Sequence, residues 1–138
     1  MSVTKITIET IIHAPIEKVW DCWTKPEHVT QWNQASDDWH CPKAENNLTE
    51  NGKFSYTMAS KDGKMSFDFE GIFTLIKEYE TIHYLLGDGR KVQISFIQLE
   101  GKVKVVETFE AELINSVELQ KNGWQAILDN FKRHVENN

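Results

Sequence analysis

Glu107 is the residue in this 138-residue chain whose setting most suggests chemistry. It lies in "KVKVVETF", where Val103, Val105, Glu107 and Phe109 share one side of an alternating stretch. A carboxyl on that apolar side loses solvent, its pKa rises, and it can serve as an acid, a base or a hydrogen-bond partner for a ligand. Two ordinary alternatives stand beside this reading: a bulge that turns Glu107 to water, or a structural partner such as a tyrosine hydroxyl. Tyr56 and Tyr84 could add hydroxyls to the same interior, or reach only the rim and water. Tyr56 alternates cleanly with its neighbours in "GKFSYTMAS", whereas "TIHYLL" around Tyr84 is apolar on both faces and leaves its phase open.

Other chemistries lack a pattern. His13, His28, His40, His83 and His134 are scattered, with no His-x-x-x-His and no paired-cysteine spacing, so no metal site and no cofactor are expected. No Gly-x-Ser-x-Gly, phosphate loop or dinucleotide fingerprint occurs, and no residue is assigned as catalytic. Cys22 and Cys41 have no framework spacing, which fits reduced thiols in a cytoplasmic protein. The net charge of -6 and the absence of a Lys/Arg cluster argue against nucleic acid and against attraction to anionic membranes. No apolar run reaches the length of a membrane span, and "MSVTKITIET" lacks the apolar core of a signal peptide.

The elements that must position these residues follow from periodicity. Residues 3–12 alternate as a strand. Pro15 suits the first turn of a helix, and Ile16, Val19, Trp20 and Trp23 then fall on one helical face. Pro26 opens a second short helix that carries Val29 and Trp32. Between Trp39 and Glu112 short alternating segments are separated by Asn51-Gly52, Asp62-Gly63, Asp88-Gly89 and Glu100-Gly101, the mark of an antiparallel meander of six strands. A final helix of about 20 residues is predicted to open on Asn115 as N-cap with Glu118 three residues on. Val117, Trp124, Ile127, Leu128, Phe131 and Val135 form its apolar stripe, and Gly123 inside it implies a close strand or an approaching ligand. The order implies one α+β domain over residues 1–138, with the long helix covering an antiparallel sheet.

The pattern of Ala14-Pro15, Val19-Trp20, Pro26-Glu27 and Trp32, followed by Phe67-x-Phe69-x-Gly71 and by Gly123-Trp124 with Leu128, resembles the START-like, or SRPBCC, superfamily. Within it the chain is most similar to the branch of the activator of the ninety-kilodalton heat-shock protein's ATPase. The resemblance implies the helix-grip fold: a curved antiparallel sheet of six to seven strands wrapped around the C-terminal helix, with two short helices after the first strand. Many members carry an Asp-x-Arg-x-Gly-Gly-like approach to the third strand; here it is "NNLTENGKF", without the arginine, so that residue's role is not carried over. The co-chaperone that gives the branch its name has a further N-terminal domain for which 138 residues leave no room.

The resemblance also implies a cavity for a lipid, sterol, polyketide or other apolar small molecule. Its expected lining is Trp32, Trp39, Tyr56, Phe67, Phe69, Glu107, Trp124, Leu128 and Phe131, with Trp20 and Trp23 serving as anchors of the first helix. Three functions fit: a ligand-binding module without chemistry, which the aromatic face favours; a cyclase- or hydrolase-type enzyme using Glu107 and Tyr56; and a stress-response module that contacts a chaperone. A monomer or weak dimer is expected, since only an edge strand offers a route to pairing.

Overall fold

The computed structural model describes residues 3–138. Strand β1 (Lys5–Ile12) leads into two helices, α1 (Ile16–Thr24) and α2 (Pro26–Trp32). Six strands follow: β2 (Trp39–Asn46), β3 (Lys53–Ser60), β4 (Ser66–Lys77), β5 (Thr81–Leu86), β6 (Lys91–Leu99) and β7 (Lys102–Glu110). Helix α3 (Val117–Glu136) completes the order. The strands form one antiparallel sheet in the order β1-β7-β6-β5-β4-β3-β2. β1 therefore sits at one edge and β2 at the other, and α1 and α2 carry the chain between them.

The alternation that predicts the strands also sets the buried face. β7 buries Val103, Val105, Glu107 and Phe109, and β6 buries Val92, Ile94 and Phe96. The sheet is bent by irregularities in register between Phe73 and Leu75 and between His40 and Lys43. Gly71 adds to the curvature. A Cβ there would lie 2.4 Å from the Leu85 carbonyl oxygen and 3.0 Å from the Phe54 ring, so only glycine lets Phe54 lie across β4. The turn after β4 has no glycine, and Tyr79 takes a φ of 67°.

Helix α3 starts one residue later than the Asn115 expectation. Ser116 is the N-cap, and its Oγ accepts a hydrogen bond from the Leu119 N–H at 3.1 Å. Asn115 is unavailable as a cap because its own N–H and side-chain amide donate to the Glu112 carboxylate. Val117 is half exposed and falls outside the stripe; Leu128, Phe131 and Val135 are fully buried.

The N-terminal tryptophans close one end of the sheet. Trp20 packs edge-on to Phe96 and Tyr79. Trp23 and Trp32 lie 5.2 Å apart, and the Phe131 ring stands 4.9 Å from the first and 4.8 Å from the second. Trp32 Nε1 donates to the Cys22 carbonyl, which fixes α2 on α1. Phe131 thus joins all three helices. Phe131→Ala should cost about 3–5 kcal/mol of stability, read from urea unfolding, because the rings around it cannot collapse into the void. A cost below about 1 kcal/mol would mean that Phe131 does not hold the helices together.

Candidate functional site

A cavity of about 340 Å³ lies between the curved sheet and α3. Three elements build it. The floor is the aromatic face of β3 to β5, where Phe54 packs against Tyr56, Phe73 and Tyr84 at 4.9–5.2 Å. The roof is α3, which contributes Gly123, Trp124, Ile127 and Leu128. Trp23 and Trp32 form the closed end. Phe67 and Leu119 line it while remaining 54% and 59% exposed, which places the mouth between the start of β4 and the first turn of α3.

Glu107 is the buried charge-bearing group of this interior. It is 5% exposed, and its ladder partners are Ile8 on one side and Ile94 on the other. Among the described residues no side chain or backbone group donates to its carboxyl. Burial therefore pushes its pKa up to about 8, and at neutral pH the group is mainly a protonated acid able to donate as well as accept. Tyr84 also lines the cavity; burial, and then the proximity of Glu107, raise its phenol well above the usual range. The Tyr56 hydroxyl accepts a hydrogen bond from Asn46 Nδ2 at 3.1 Å, which leaves its own hydrogen free, and burial pushes its pKa up to about 12. The same Asn46 amide donates to the Thr24 carbonyl oxygen at 2.7 Å, so the end of α1 holds the Tyr56 hydroxyl in place.

The polar mouth is organised by Gln120. This buried side chain accepts from the Glu112 N–H and donates to the carbonyl oxygens of Glu112 and Asn115, at 2.9–3.2 Å. It fixes the loop between β7 and α3 with Leu113 and Ile114 turned outward, 97% and 89% exposed. Arg90 reaches the lining from the turn before β6, but its Nε is held by Asp88 Oδ2 at 2.7 Å.

Seven of the nine residues expected around a cavity line it: Trp32, Tyr56, Phe67, Phe69, Glu107, Trp124 and Leu128. Trp39 and Phe131 do not. Trp39 lies on edge strand β2, half buried, 6.0 Å from Phe67 and outside the wall. Phe131 is one helical turn past Leu128, where the two tryptophans already fill the space. Trp23, expected only as an anchor, is part of the lining as well. Phe54 and Met58 share the alternation of Tyr56 and could have been included on that signal. Leu48, Arg90 and Gln120 carry no periodic signal. Gly123 overturns the expectation of a closely packed strand: a Cβ there would meet nothing within 4 Å.

A strongly curved antiparallel sheet folded around one long C-terminal helix, with two short helices after the first strand, defines the helix-grip class of the SRPBCC, or START-like, superfamily. The profile of the family described as "Activator of Hsp90 ATPase homolog 1-like protein" matches residues 13–136, and the chain belongs to that family. It is 42% identical to an AHSA1-like protein from Aeromonas hydrophila, with 97% of this chain and 93% of that one covered and a TM-score of 0.92. It is 50% identical to Chr148 from Cytophaga hutchinsonii over 96% and 92% of the two chains, with a TM-score of 0.84. CV1439 from Chromobacterium violaceum shares the fold at 19% identity, with 96% of this chain and 98% of that one covered and a TM-score of 0.86. No curated protein matches the chain. Among the described residues no helix is long and apolar enough to cross a membrane.

Glu107 makes stability depend on pH with a definite sign. Its folded pKa of about 8 lies above the unfolded value of 4.5, so the folded state holds the proton more tightly. Stability therefore falls as pH rises from about 4.5 to about 8, by as much as roughly 5 kcal/mol at about 1.36 kcal/mol per pH unit. Glu107→Gln should flatten this slope and be the more stable protein at pH 9 in denaturant titrations. Parallel slopes for the two proteins would show that Glu107 is not desolvated.

Proposed function

We propose that the protein binds an apolar or aromatic small molecule, lipid-like in character, in the cavity under α3. The observation that carries this reading is Glu107: a buried carboxyl with no partner among the described residues, bordering a space walled by aromatic rings. Leaving such a group unpaired costs free energy, and a ligand that brings a hydrogen-bonding group to it recovers that cost. The ligand is then an apolar body with one polar end, held with that end against Glu107 and the Tyr84 hydroxyl. A volume of about 340 Å³ suits a small aromatic or a short-chain molecule.

The protein as purified, analysed by native mass spectrometry, tests this reading. A retained small molecule supports it, and turnover of that molecule would instead assign Glu107 and Tyr56 an acid–base role. Nile red titration provides an independent measure. Gly123→Leu should project into open space, keep the melting temperature within a few degrees, and weaken dye binding at least about tenfold. Unchanged dye affinity in that folded variant would refute the cavity as the binding site. Stimulation of a chaperone ATPase equally by wild type and Gly123→Leu would favour the activity named for the family.

A further inference from the structure

The three helices bring together residues that no spacing in the sequence connects. Cys22 from α1, His28 from α2 and His134 from α3 place Sγ and two ring nitrogens within 4.8 Å of one another. His28 Nδ1 and His134 Nε2 face each other at 2.9 Å. Cys22 is buried, whereas both imidazoles are half buried and reach solvent on one side. We infer that Cys22, His28 and His134 form a three-ligand site for a borderline divalent cation, Zn²⁺ in the first instance, with a fourth position open to water or an exogenous ligand. The site is separate from the cavity: none of the three residues lines it.

The donor set has the composition zinc selects, one thiolate and two imidazoles. Around a tetrahedral ion, adjacent donors stand about 3.3–3.7 Å apart, given bonds of about 2.0–2.3 Å. The histidine pair must open by a few tenths of an ångström, and the thiol lies near enough to close the triangle by side-chain rotation. Proton accounting is simple. The two imidazoles share one hydrogen across the 2.9 Å contact, and that hydrogen moves to the outer nitrogen of the donating ring when both inner nitrogens turn to the metal. For His134 the outer nitrogen is Nδ1, 3.2 Å from the Asn138 amide nitrogen, which also donates to the His134 carbonyl oxygen; when Nδ1 takes the hydrogen, the exposed Asn138 side chain gives up its contact with Nδ1 and keeps the one with the carbonyl. The thiol releases its proton to solvent.

The electrostatic surroundings are mixed. Burial pushes the Cys22 thiol up, Lys18 and Lys25 draw it down, and Asp21 raises it. Burial, and then the neighbouring His28 and Lys18, hold His134 below its ordinary value. Lys18 opposes a cation, but its ammonium donates to the Asn138 carbonyl oxygen and lies on the solvent side.

Co²⁺, which reports on zinc sites by its spectrum, is the first probe. Added to the full chain, it should produce a thiolate-to-metal charge-transfer band and the intense visible bands of tetrahedral coordination, and Zn²⁺ should displace it with one equivalent. Competition against a chromophoric chelator should show Cys22→Ser and His134→Gln weaker for zinc by at least about tenfold. Cys41→Ser, which leaves all three donors in place, should keep the bands. His134→Gln changes a half-exposed position, so it tests the site even if Cys22→Ser does not fold. Absence of the charge-transfer band in wild type, its persistence in Cys22→Ser, or equal zinc affinity in wild type and His134→Gln would each overturn the inference, leaving a histidine pair packed beside a buried thiol.

Discussion

The stack of Trp124 on Phe109 decides how far the long helix stands from the sheet. The two rings are nearly parallel, 9° apart, with centres separated by 3.8 Å. Phe109 is fixed from both sides, because its ladder partners are Ile6 on β1 and Val92 on β6. Two stacked rings therefore separate α3 from β7 at this point. Further along the helix, Leu128, Phe131 and Val135 sink fully into the core. The sheet meanwhile curves away through β5, β4 and β3. A straight helix pinned at one side of a curved sheet cannot follow it, and the space left over is the cavity. Phe69 makes the remaining aromatic contact across that space, edge-on to Trp124 at 5.9 Å.

The polar groups inside this space follow from the same geometry. A strand alternates without regard to what its inward residues are, so a single Glu at the inward phase of β7 is carried into the core between Ile8 and Ile94. A fully packed core could not hold it, since a charged carboxyl without a partner is too costly there. The cavity is what makes Glu107 tolerable, because its carboxyl borders open space and can keep its proton. Tyr56 and Tyr84 are arranged by the same logic. Each has its ring in the aromatic floor of the cavity, and Asn46 holds the Tyr56 hydroxyl in place.

Legibility in the sequence tracks the range of the signal. Strand parity repeats every two residues, so the inward phase of Val103, Val105, Glu107 and Phe109 could be read without any structure. So could the aromatic face that holds Phe54 and Tyr56. Tyr84 could not be phased, because both faces of "TIHYLL" are apolar and alternation carries no information there. The cap of α3 was misplaced by one residue, since Asn115 and Ser116 are both capping types and only the tertiary bond to Glu112 separates them. Phe131 and Trp39 show a deeper limit. Each belongs to the correct apolar stripe or strand, but whether a ring borders a cavity or fills the core depends on what stands opposite it. The Cys22, His28 and His134 cluster lies beyond any local pattern, because it exists only through the docking of α3 on α1 and α2.

The charge state of the interior bears on what it can hold. At neutral pH the Glu107 acid, the Tyr84 phenol and the Tyr56 phenol are all mainly uncharged, each kept so by burial. Every one of them can donate a hydrogen bond, and none supplies a fixed negative charge. An anion would have to surrender its hydration for neutral donors alone, with the Arg90 charge already engaged by Asp88. A cation placed against Glu107 would have to draw the proton off it, and the free energy of that ionisation would be subtracted from its binding. A neutral polar end, a hydroxyl or a carbonyl, meets neither cost. On the reading of this space as a ligand site, selectivity is therefore set by burial of the acid as much as by the shape of the aromatic wall.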